Sequence, residues 1–321
     1  MKPSFLLAAL LVGQASWPVW SRQPPPPQPP PPQPSDAFRI SVNVDLVVLH
    51  PTVRDANGGF VPDLREGNFE IYEDGVRQVI GLFQHEDIPV TVGLVVDHSG
   101  SMRPKLDYVI AAARAFVHSS SPQDEMFVIN FNEKVTLGLP AAMRFTNRPD
   151  LLAQAISSSP ATGQTALYDA IAQAQERLQA GSRDKKVLIV VSDGGDNAST
   201  HTLQDVLKTA GQSTALIYTI GIFDANDADR NPGVLRRLAR ATGGEAFFPE
   251  QLEEAVDICD AIARDIRHQY TLGYVSTNTA LSGRYRSIRV VAHAPDNKGK
   301  LIVRTRSGYI AEPHPPKASS Q

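Results

Sequence analysis

From residue 38 to about residue 88, apolar and polar positions alternate with a period of two. Ile40, Val42, Val44, Leu46 and Val48 fall on every second position, the pattern of strands with one buried face. Asn57-Gly58 inside "DANGG" and Asp74-Gly75 inside "EIYEDGVRQVI" mark tight turns between such runs. Three or four strands without a helix are predicted there, a piece of sheet too small to be stable alone. Between residues 89 and 268 the period changes. Nearly continuous apolar runs at 89–97, 125–132, 186–193, 215–222 and 244–249, with a short hairpin strand in "KVTLGL", alternate with amphipathic stretches at 104–119, 148–157, 166–180, 202–212, 232–242 and 250–268. Uninterrupted apolar strands separated by helices predict an α/β fold, a doubly wound and mostly parallel sheet covered on both faces. Alternation returns in "QYTLGYV" (269–275), "YRSIRVVAH" (285–293) and "KLIVRTRSGY" (300–309). Strands near both chain ends are therefore expected to join in one accessory antiparallel β domain, with 38–88 as its first part, 269–311 as its second, and the α/β domain of 89–268 inserted. Separate β pieces satisfy the same pattern.

The remaining segments have other signatures. Behind Lys2, an apolar run from Phe5 to Val12 leads to small residues, which reads as a secretory signal peptide over residues 1–22. The run is too short to cross a bilayer, and no other stretch approaches 18 apolar residues, so the processed chain is not expected to be an integral membrane protein. Residues 23–37 contain "QPPPPQPPPPQPSD", a linker extended as polyproline II at roughly 3 Å per residue. Residues 312–321 are expected to form a disordered tail. Export follows, to the periplasm, the cell envelope or the medium. The single cysteine, Cys259, cannot pair within the chain, and its place in "AVDICDAIARDI" predicts a buried helix-face thiol.

At 321 residues with 42% hydrophobic content, the chain is long enough for one α/β core and a second small domain. A net charge of −3 gives no basic footprint of the kind that binding to a phosphate backbone requires, which excludes nucleic acid as an expected partner.

Chemistry concentrates where strands end. In "VGLVVDHSGSM" four apolar residues run into Asp97, and Ser99 and Ser101 flank Gly100, an arrangement that suits either a metal site or a nucleophile. In an open parallel sheet, ligands bind at the carboxyl ends of strands where the strand order reverses. "TGQTALYDA", carrying Thr165, and "VVSDGGDN", carrying Asp193, are predicted to reach that same edge. Asp97, Ser99, Ser101, Thr165 and Asp193 bring hydroxyl and carboxylate oxygen alone, a donor set that suits Mg²⁺, Mn²⁺ or Ca²⁺ and not zinc.

The D-x-S-x-S of "DHSGS", the T-x-L of "QTALYDA" and the S-D-G of "VVSDGGDN", in that order, resemble the metal-ion-dependent adhesion site of von Willebrand factor type A domains. The resemblance covers about 180 residues and implies that Ser99, Ser101 and Thr165 offer hydroxyl ligands, with Asp97 and Asp193 binding directly or through water. It also implies a protein partner whose Asp or Glu side chain completes the coordination. The order of an early "VRD…YEDG" segment, the α/β segment, "QYTLGY" and a closing "RSGY" is similar to a bacterial group of exported von Willebrand type A related proteins.

Enzymatic readings find less support. "DHSGS" has aspartate where a G-x-S-x-G elbow needs glycine. His98 lies next to Asp97 and Ser99, but chain neighbours point apart, and a triad needs groups brought together across the fold. The chain is therefore expected not to be an enzyme. The alternatives are a metal-assisted hydrolase, an accessory subunit of an enzyme complex, or a structural envelope protein. In "DANDADRNPG", Asp227, Asp229 and Asn231 have calcium-loop spacing, but Pro232 stands where glycine is needed and Leu238 where glutamate is needed, so a solvated loop is expected. In "RRLARATGGEAFF" the expectation is an apolar helix face of Leu235, Leu238 and Ala239, ended by Gly243 or Gly244 in a left-handed cap. Gly100 is expected to permit the turn that holds the two serines.

Overall fold

The computed structural model describes residues 46–85, 87–223, 230–280, 283–295 and 299–311. The predicted signal, linker, strand start at 38–45, acidic loop at 224–229 and tail lie outside them. In chain order the first strands are β1 (Leu46–Leu49), β2 (Thr52–Arg54), β3 (Phe69–Glu73), β4 (Val76–Gln78) and β5 (Ile80–Gln84). The α/β segment follows with β6 (Val90–Asp97), α1 (Leu106–His118), β7 (Glu125–Phe131), β8 (Val135–Leu137), α2 (Pro149–Ile156) and α3 (Leu167–Gln179). It continues through β9 (Lys185–Ser192), α4 (Leu203–Gln212), β10 (Leu216–Gly221), α5 (Pro232–Thr242), β11 (Ala246–Phe247) and α6 (Glu254–Arg267). The last strands are β12 (Thr271–Val275), β13 (Tyr285–Ala292), β14 (Ile302–Arg304) and β15 (Gly308–Ile310).

The central sheet has the order β11-β10-β9-β6-β7-β8, parallel throughout except for the β7–β8 hairpin. Every residue of β6 is buried, because helices cover both faces, as continuous apolar strands require. α6, α1 and α2 lie side by side, as do α3, α4 and α5, with α3 against β6, β7 and β9. Cys259 is buried on α6, and burial pushes its thiol up to about 12, which leaves it an inert packing group at neutral pH. α5 buries Leu235, Leu238 and Ala239 and ends at Gly243, whose φ of 87° is the left-handed cap. From β6 the chain passes to β7 on one side, and β9 later joins on the other, so the crevice of a switch point opens between the carboxyl ends of β6 and β9.

Strands from the two chain ends pair with one another. β12 lies between β1 and β5, β13 joins β3 and β15, and β14 pairs with β2. Their inner faces share a core that includes Leu49, Phe69, Ile71, Tyr270, Leu272 and Tyr274. Asp74 (φ 47°) and Gly75 (φ 82°) make the turn between β3 and β4, with the two positive φ values of a type I′ hairpin. Four local expectations need correction. The described part of the 38–88 stretch holds five strands where three or four are expected, because the run after Gly75 divides into β4, which pairs with β3, and β5, which pairs with β12. The 38–88 stretch holds one short 3₁₀ turn at Glu66–Asn68, where the Asn68 side chain accepts from Arg65 N. The "DANGG" turn is wider than a two-residue hairpin, because the Asp55 carboxylate gathers the N–H groups of Asn57 and Gly59. The strand expected over 300–309 is broken into β14 and β15, since Arg306 turns its guanidinium to the carbonyls of Gly308, Ser213 and Gly211.

Candidate functional site

β6 delivers Asp97 fully buried at the crevice. Its Oδ1 accepts from Ser99 N at 2.8 Å and its Oδ2 from Ser192 Oγ at 2.7 Å. Burial pushes its carboxyl up to about 6 and the charge of Asp193 adds to that, while the bonds from Ser192 and Ser99 pull the other way. The next residues turn into a 3₁₀ helix, Gly100–Lys105, which carries Ser101 back over the strand end. Ser99 Oγ lies 3.1 Å from Ser101 Oγ, and Ser101 Oγ donates to Asp193 Oδ2 at 2.8 Å. Asp193 follows the last residue of β9, and its Oδ1 accepts from Gly195 N at 2.9 Å. Between them Gly194 has φ 81°, and a Cβ there would sit 2.5 Å from the carbonyl oxygen of Asn231, so this turn requires glycine. Gly100, by contrast, has no left-handed φ, and a Cβ on it would meet only the Gly163 oxygen, at 3.8 Å. The serine turn does not depend on it.

The segment before α3 closes the third side. Thr162 N donates to the His98 carbonyl at 2.8 Å, Gly100 N to the Gly163 carbonyl at 3.3 Å, and Ala166 N to the Asn132 carbonyl at 2.7 Å. Thr165, 7% exposed, is held through its backbone: its N–H donates to Asn197 Oδ1 at 2.9 Å. Its carbonyl accepts from the N–H groups of Asn197 and Ala198 at 3.0 and 3.1 Å. Its hydroxyl makes no hydrogen bond with the described residues. Side-chain bonds therefore link Asp97, Ser99, Ser101 and Asp193, and backbone bonds bring Thr165 to the same edge. His98 stays apart. Its ring is buried and bonds neither Asp97 nor Ser99, whose partners are Ser192 and Ser101, so no triad with them exists.

The donor set can be tested against a cation. Successive oxygens of Ser99, Ser101 and Asp193 stand 3.1 and 2.8 Å apart, close to the roughly 3 Å between adjacent ligands of an octahedron with ligand bonds of about 2.0–2.1 Å. Two carboxylates share the crevice, and a cation would neutralise the charge that their burial leaves uncompensated. No group of three or more His, Cys, Asp or Glu side chains forms a metal cluster among the described residues, so hydroxyls must complete any such set. The residues present fit a hard divalent ion. Three supporting residues escaped the sequence reading: Ser192, which bonds Asp97, and Asn197 and Asp196, which bond the start of α3. The density of Asp, Asn, Ser and Thr in "SDGGDNASTH" was the available signal.

Residues 92–195 match the family model described as von Willebrand factor type A domain. No curated protein matches the chain. Among solved structures, a von Willebrand factor type A protein of Catenulispora acidiphila is 15% identical with a TM-score of 0.50, the match covering 84% of this chain and 64% of that one. BatB of Bacteroides thetaiotaomicron is 18% identical with a TM-score of 0.46, over 55% of this chain and 97% of that one. The von Willebrand domain of the type V pili tip protein Mfa5 of Porphyromonas gingivalis is 15% identical with a TM-score of 0.47, over 56% and 95%. The α/β segment thus has the von Willebrand factor type A fold. No helix among the described residues is long and apolar enough to cross a membrane.

Proposed function

We propose that this chain, which carries a von Willebrand factor type A domain, is an exported protein-binding module that works through a divalent cation and is not an enzyme. The observation that carries this reading is the run of oxygens from Ser99 through Ser101 to Asp193 at a strand-order switch point. Ser99, Ser101 and Thr165 would offer hydroxyl oxygens, and Asp97 and Asp193 carboxylate oxygens directly or through water, to Mg²⁺ or, in its place, Mn²⁺ or Ca²⁺. Such an ion, when bound, supplies a Lewis-acidic position for an outside oxygen. Because three of the five residues offer neutral hydroxyls, and a carboxylate that acts through water transfers little charge to the ion, an open coordination position would stay electrophilic and attract an Asp or Glu side chain of a partner protein. Ser192 holds Asp97 in place, and the Asp193 turn is set by Gly194. Export is supported by the pattern of residues 1–22.

The test is capture of cell-envelope proteins on the immobilised chain in Mg²⁺ and in EDTA, beside the Ser99→Ala/Ser101→Ala variant. A partner retained with metal, and lost with EDTA and with the variant, is the expected result. Equal capture under all conditions would rule out metal-dependent binding and point to a structural ion. Turnover of ester or phosphate substrates that needs the same residues would favour the hydrolase reading instead.

A further inference from the structure

Four of the five proposed ligands have side chains tied by hydrogen bonds; Thr165 is positioned by its backbone alone. The bonds that do so are reciprocal. Asn197 Oδ1 takes the Thr165 N–H at 2.9 Å, and Asn197 N returns a bond to the Thr165 carbonyl at 3.0 Å, so one residue brackets Thr165 on both sides of its Cα. The neighbouring bonds run the same way. Asp196 Oδ2 takes Tyr168 N and Ser199 Oγ takes Asp169 N, each at 3.0 Å. The residue that opens α3, Ala166, has no side-chain oxygen to cap the helix, so the free N–H groups of its first turn are satisfied from the loop that carries Asp193. In return the Asp169 carboxylate takes the N–H groups of Thr200 and His201. The Thr165 segment and the Asp193 loop are thereby latched together, and Asn197 sits where the latch meets the site.

We propose that Asn197 is the positioning residue for Thr165, deciding whether its hydroxyl or a water molecule fills that place at the cation. This rests on the cation-site reading above. In Asn197→Ala the Asn197 and Ala198 N–H groups still reach the Thr165 carbonyl, so the loop stays docked. The Thr165 N–H, however, loses its acceptor, and residue 165 is free to turn away. Loss of one supporting partner of a metal ligand weakens affinity by about 10-fold to 100-fold.

The experiment uses the full chain with Tb³⁺ as probe, counting coordinated waters from luminescence lifetimes in H₂O and D₂O, and Mg²⁺ titration by calorimetry. Asn197→Ala is expected to carry about one more coordinated water than the parent chain, the same count as Thr165→Ala, with Mg²⁺ binding weakened in the range above. Asn197→Asp, whose Oδ atoms still accept from Thr165 N, should restore the parental count. If Asn197→Ala fails to fold, Asn197→Ser replaces it, since its shorter side chain leaves the same N–H without an acceptor. A parental water count and affinity in these variants would overturn the positioning role while leaving the cation site standing. Absence of Tb³⁺ binding in the parent chain, or binding unchanged by Ser99→Ala/Ser101→Ala, would overturn the site and this inference together.

Discussion

Two glycines that look alike along the chain should respond in opposite ways to an added methyl group. Gly243 has φ 87°, and a Cβ on it would lie 2.5 Å from Arg306 N and 2.7 Å from the Thr305 carbonyl carbon, backbone atoms that cannot give way. Gly243→Ala is therefore expected to lose at least about 1–3 kcal/mol of stability, read as a lower urea midpoint. Gly100→Ala should change stability by no more than about 0.5 kcal/mol and leave Mg²⁺ affinity intact, because the site there has room and ordinary φ. A large loss of affinity in Gly100→Ala would show that the serine turn needs glycine after all. The same scale explains what could be read from residues alone. Asp97, Ser99, Ser101, Thr165 and Asp193 stand out because polar oxygens directly follow apolar strands or precede a helix. Ser192 does not, since a small residue at the end of an apolar strand looks like packing until Asp97 is seen 2.7 Å away. Asn197 and Asp196 act on the start of α3 across 32 and 28 residues, a reach that residue type and local spacing do not announce.

Among elements, α6 has the most telling neighbour. It presents Asp265, fully buried, to Arg304 of β14, to Arg54 of β2 at 3.4 Å and to the Tyr218 hydroxyl of β10 at 2.5 Å. Burial alone would raise this carboxyl, but Arg304, the Tyr218 bond and Arg54 outweigh it and hold the group below the ordinary carboxylate range. The last helix of the α/β segment is thus pinned to strands from both chain ends. Asp265→Ala leaves Arg304 and Arg54 sharing Glu245, at 3.5 and 3.8 Å, as their remaining counter-charge and the Tyr218 hydroxyl without its acceptor, and a loss of about 1–3 kcal/mol is expected from denaturant unfolding. Asp265→Ala/Arg304→Met should lose less than the single change, because one of the two arginines that lose Asp265 is then gone as well; an equal or larger loss would mean that packing and not charge dominates. Helix positions were legible from periodicity to within a few residues, as amphipathic faces on a covered sheet should be. The break between β14 and β15 was not legible, because Arg306 satisfies carbonyls of the α4 end and its own turn, and alternation continues unbroken through it.

Over the whole molecule, strands near the two ends depend on each other for their ladders, and alternation can announce a strand without saying which strand it meets. His50 marks that dependence. Just after β1 it is 7% exposed, with Nδ1 3.3 Å from the hydroxyl of Thr271, 221 residues away. Burial, with Lys185 and Arg306 nearby, pushes its pKa down from 6.5 to about 3. The unfolded chain therefore binds a proton below pH 6.5 that the folded chain refuses, so the His50 contribution to stability is complete above pH 6.5 and is lost as pH falls from there toward 3. At pH 5 the loss from this one group is about 2 kcal/mol relative to pH 7. Urea unfolding of the parent chain and of His50→Gln at both pH values isolates it, since the other titrating groups are common to the pair. The variant should lose about 2 kcal/mol less between pH 7 and pH 5. Parallel losses in the two proteins would mean that His50 takes up its proton in the folded state, and that the junction of the two chain ends admits water.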